Sequence, residues 1–115
     1  MDDLLFLTIK KNVTDWLIGN EEKFVCKNIK TEIVTNREDT LFAILTFTGC
    51  MASITVVSGN FAPYRFVAFE AIPIEKGKQI MLHHWYDSED TITDEIIPSL
   101  DKAIDIVLEY EKSRL

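Results

Sequence analysis

The chain has 115 residues, 47% of them hydrophobic and 27% charged, and a net charge of −7. Those values fit a single folded domain over residues 1–115 with an ample core, and they exclude a disordered chain. The acidity argues against duplex DNA and anionic membrane as partners, while the same field would steer a basic protein inward.

The segment Met1-Asp2-Asp3-Leu4 opens with acids rather than the basic start of a secretory signal. Gly, Asn or Pro interrupts every apolar run before it reaches membrane-spanning length. Cys26 and Cys50 are too few for a disulfide framework and read as thiols, so a cytoplasmic protein is expected.

Asp2 to Ile18 reads as a helix, because Leu5, Ile9, Val13, Trp16 and Leu17 recur at helical spacing. Asp2 and Asp3 suit its N-terminus, and Gly19-Asn20 supplies a stop. Leu4, Phe6 and Leu7 widen the stripe, which predicts burial on more than one side. Phe24 to Thr35 reads as a strand, with Val25, Ile29 and Ile33 on one face and Asn28, Lys30 and Glu32 on the other. A polar turn, Asn36-Arg37-Glu38-Asp39, follows it.

The run from Leu41 to Ile72 organises the rest, and its breaks at Thr48-Gly49-Cys50 and Ser58-Gly59-Asn60 divide it into three strands. Leu41–Phe47 is apolar on both faces, which predicts a mid-sheet strand covered on both sides. Ala52–Val57 places Ile54 and Val56 together. Tyr64–Ile72 begins after Pro63, since proline is tolerated at a strand start. Gln79–Tyr86 is a fifth strand.

Ile92, Ile96, Leu100, Ala103, Ile104 and Val107 then mark a helix from about Thr93. Pro98 leaves two arrangements open: a start near Ile96, or a stripe that continues through a kink at the proline. Short connections favour antiparallel neighbours. The expected architecture is α+β: a five-stranded antiparallel meander with an N-terminal and a C-terminal helix packed on one face.

His83-His84-Trp85-Tyr86-Asp87 holds both histidines of the chain. Adjacent strand residues point to opposite faces, so His83 and His84 do not chelate one ion, and no metal-ligand spacing is present. Trp85 and Tyr86 are the residue types that anchor recognition patches, and Glu89 and Asp90 extend Asp87 into an acidic run. Cys50 lacks a nucleophile signature around it. Arg65 lies between aromatics, suited either to stacking on a ring or to pairing with a carboxylate. No phosphate loop, nucleophile elbow or RNA-binding aromatic pattern occurs, and no cofactor is implied.

These residues point to a non-catalytic protein-binding module of the inhibitor or immunity type. Trp85, Tyr86, Asp87, Glu89 and Asp90 would contact a basic protein partner. The alternative is a small-molecule-binding domain or small enzyme whose sheet–helix pocket uses Arg65, His83, His84 and Cys50. A homodimer through the exposed sheet face or an edge strand, with Trp16 or the Phe24 strand contributing, is compatible with either.

Overall fold

The computed structural model describes residues 3–58, 65–74 and 81–113. Helix α1 spans Asp3–Gly19 and α2 spans Glu21–Cys26. Five strands follow: β1 Lys30–Arg37, β2 Thr40–Thr46, β3 Cys50–Val57, β4 Val67–Pro73 and β5 His83–Tyr86. Helix α3, Thr93–Ser113, comes last. The strands form one antiparallel sheet in the order β1-β2-β3-β4-β5, the meander expected from the short connections.

The stripe of α1 buries Phe6, Ile9, Val13, Trp16 and Leu17, while Leu4 and Leu7 stay exposed. Of the three residues predicted to widen the stripe, Phe6 does so, while Leu4 and Leu7 leave the helix uncovered on its other side. The helix ends at Gly19, where Asn20 closes it with backbone and side-chain donors to the Trp16 carbonyl. Trp16 packs edge-on against Phe24 at 5.6 Å, and its indole N–H donates to Asp101 of α3 at 2.8 Å. Both aromatics are buried in the core.

The predicted strand over residues 24–35 is corrected in its first half. Glu21–Cys26 is a short helix with two acids in its first turn, and Asn28 adopts a left-handed φ of 62° just after it. The reason lies in the spacing: Val25, Ile29 and Ile33 are four apart, a repeat that a helix satisfies as readily as a strand. Phe24 is buried and Val25 exposed, the reverse of the strand assignment. The remainder, β1, pairs with β2 and carries a bulge between Ile33 and Thr35.

The inner strands alternate with period two. Leu41, Ala43 and Leu45 of β2, Ala52, Ile54 and Val56 of β3, and Val67, Phe69 and Ala71 of β4 are buried on one face. They join α1 and α3 in one connected core that also includes Ile96, Leu100, Ala103, Ile104 and Val107. Both long helices thus cover the same face, as predicted. The other face carries no helix among the described residues, which corrects the expectation that β2 is covered on both sides.

Helix α3 begins at Thr93 and runs on through the exposed Pro98. A bond from the Glu95 N–H to the Ile92 carbonyl forms its entry. Proline in the second turn removes one helical donor, yet the buried stripe continues past it. Tyr64, Gln79 and Ile80 of the predicted strands lie outside the described residues, whereas Arg65-Phe66 and Met81-Leu82 are described and precede β4 and β5 rather than belonging to them. No helix among those described is long and apolar enough to cross a membrane.

Candidate functional site

Strand β5 separates the His83–Asp87 cluster by alternation. His83 stands opposite Ala71 and near the Phe69 ring, on the helix side of the sheet. Burial lowers its pKa from the ordinary 6.5, and His84 and Lys102 push in the same direction. Trp85 lies across from Phe69 and packs half-buried against the core. His84 and Tyr86 point to the opposite face, where their rings stack at 5.0 Å.

Asp87 is the sole buried charged or polar residue among those described, with 0% exposure. Its Oδ1 accepts the backbone N–H groups of Arg65, Phe66 and Val67 at 3.0, 2.8 and 2.9 Å. Its Oδ2 accepts Arg65 Nε at 3.2 Å. A buried carboxylate is tolerated when it is saturated with donors and paired, and this one is both. Asp87 therefore fastens the start of β4 to the end of β5, and its charge faces inward rather than toward a partner.

Arg65 also donates to the Thr91 carbonyl at 3.5 Å and lies 4.9 Å over the Phe66 ring. Both roles read from sequence, ring stacking and carboxylate pairing, are thus fulfilled within the chain. Glu89 and Asp90 are exposed on the turn between β5 and α3, which Ser88 and Thr91 hold through Ser88 N–H to Thr91 Oγ1 at 2.9 Å.

The four residues of the ligand-binding alternative do not converge. Cys50 is fully buried and pairs with Pro73 at one end of β4, whereas Arg65 precedes the other end. His83 and His84 occupy opposite faces. A cleft of about 770 Å³ lies beside the last turns of α3, lined by Lys27, Gly49, Ile74, Tyr110 and Glu111, and contains none of the four. Neither cysteine is in a disulfide, and no group of three or more potential metal ligands occurs among the described residues.

The open sheet face presents a different surface. The strand registers align Glu32, Ile44, Ser53, Glu70 and His84 in one row across the sheet. The next row holds Thr35, Phe42, Thr55, Ala68 and Tyr86. Phe42, Ile44, Met51, Ile72 and Met81 line a shallow groove of about 290 Å³, with Glu70 at its wall. Met51, Ile72 and Met81 are 37%, 40% and 43% exposed, far more than core positions allow. Glu70 is half-buried and accepts the Tyr86 hydroxyl at 2.6 Å.

Sequence reasoning passed over Glu70. A signal was present, since it is the lone charge in Phe66–Ile72. An acid in an otherwise apolar strand must lie on a face that meets water or a partner. Comparison of the chain with protein-family models, with curated proteins and with solved structures yields no match.

Proposed function

We propose that the chain is a non-catalytic protein-binding module that holds a basic protein partner against the open face of its sheet, as an inhibitor or immunity protein does. The observation that carries this reading is the apolar groove of Phe42, Ile44, Met51, Ile72 and Met81, which no helix among the described residues covers. A sheet face that meets only water alternates to polar residues, and contiguous exposed apolar surface marks an interaction site. Tyr86 and His84 border the groove as an aromatic, hydrogen-bonding rim. Glu89 and Asp90, exposed beyond β5, and the net charge of −7 favour a cationic partner by electrostatic steering.

The test uses the wild type and a Met51→Ser/Ile72→Ser double variant, both confirmed as folded by circular dichroism. Proteins captured from lysate by the wild type are purified and titrated against both forms at low and at physiological salt. The expected result is a basic protein whose affinity falls at least tenfold with the double variant, and whose association slows as salt rises. A partner held equally by both forms would remove the sheet face from the reading.

A further inference from the structure

The groove has a chemical asymmetry that narrows what fills it. Its floor and most of its rim are apolar, but Glu70 brings one carboxylate into the apolar surface. Oε2 of that carboxylate takes the Tyr86 hydroxyl, and no ion pair of the described residues involves Glu70. A partner that covered the groove with apolar side chains alone would strip water from a charge and give it nothing in return. A partner that placed a cation there would gain a charge-assisted bond in a partly desolvated setting.

Two methionines form part of the lining, Met51 and Met81, and their flexible thioethers fit varied apolar side chains. A second copy of this chain fits less well. It would set a net charge of −7 against −7.

We propose that the groove takes a basic amphipathic peptide segment, with apolar side chains seated on Phe42, Ile44 and Ile72 and a Lys or Arg paired with Glu70. This inference rests on the protein-binding reading above and assigns the occupant of that same face. Glu70 is then the specificity-determining residue, and the apolar lining supplies affinity without choosing a sequence.

The probe is a phage-displayed library of random peptides, panned on wild type, on Glu70→Gln and on Met51→Ser/Ile72→Ser. Glutamine keeps an oxygen for the Tyr86 hydroxyl, so the Glu70→Gln variant retains the local hydrogen bond. Wild type is expected to enrich peptides with Lys or Arg between apolar residues. Glu70→Gln is expected to keep the apolar preference, lose the cation preference, and bind a wild-type-selected peptide about tenfold or more weakly, as for loss of a charged hydrogen bond.

Enriched peptides without a cation, or the same cation preference on Glu70→Gln, would overturn the assignment of Glu70 while leaving the face as a binding surface. Identical peptides on wild type and on the double variant, or none on wild type, would overturn the protein-binding reading as well. A concentration-dependent dimer in sedimentation equilibrium that the double variant abolishes would give the face to a second copy and overturn the peptide assignment.

Discussion

The two faces of the sheet are built from the same strands yet differ in what lies on them. In β2, Leu41, Ala43 and Leu45 are fully buried beneath the helices, while Phe42, Ile44 and Thr46 between them are only half-buried. β3 repeats the contrast, with Ala52, Ile54 and Val56 buried and Ser53, Thr55 and Val57 half-buried. Stability of the sheet is served by the first set. An open face made for water alone would substitute polar residues throughout the second, and Phe42, Ile44, Met51 and Ile72 are not polar. Apolar side chains kept where folding gains least from them are what the binding proposal rests on.

The sharpest way to break that contrast is to truncate equivalent rings on the two faces. Phe69→Ala is expected to cost about 3–5 kcal/mol, since it opens a cavity under α3. Phe42→Ala is expected to cost about 1–2 kcal/mol, because less area leaves water when Phe42 folds into place. Denaturant unfolding measures both, and equal costs would mean that the open face is packed as tightly as the core.

The end of the sheet gives the next largest effect. Asp87→Ala leaves the Phe66 and Val67 N–H groups and Arg65 Nε without their carboxylate acceptor, and is expected to cost about 3 kcal/mol. Glu89→Ser, two residues along and exposed, is expected to change stability by less than about 0.5 kcal/mol. Amide exchange at Phe66 and Val67 should accelerate in the Asp87 variant. Unchanged exchange there would show that the carboxylate does not fasten β4 to β5.

The smallest effect is a pH dependence from the helix side of β5. The folded chain binds a proton at His83 less readily than the unfolded chain does, because burial, then His84 and Lys102, disfavour the cation. Below the ordinary 6.5, the unfolded state holds the extra proton, so His83 makes stability fall as pH falls through that value toward the folded pKa. The His83→Gln variant is expected to show a shallower decline in denaturant midpoint over the same interval. Superimposable profiles would exclude His83 as its source.

The elements that the residue pattern discloses are those with long, regular repeats. The stripes of α1 and α3 and the alternation of Ile54 and Val56 needed no tertiary information, because each repeat spans several turns or pleats. Helix α2 was hidden because six residues hold too little repeat to tell a helix from a strand. The candidate surface was harder. Asp87 reads as one acid in an acidic run until the fold brings residues 65–67 against it, some twenty positions back in the chain. Trp85 and Tyr86 are neighbours in sequence, and alternation sends one to the core and the other to the surface. The choice of which face the helices would cover decided both, and nothing local encodes that choice.

The bulge in β1 bears on what the protein does at high concentration. β1 is an edge strand of eight residues, with Ile33 and Val34 exposed on it. An edge of that length, if flat, is a template on which identical chains stack strand upon strand into fibres. The register shift between Ile33 and Thr35 interrupts the row of unpaired backbone groups, and Lys30, Glu32 and Arg37 place charge along it. The edge of the sheet therefore resists fibrillar growth without any cover over its apolar groove by the described helices.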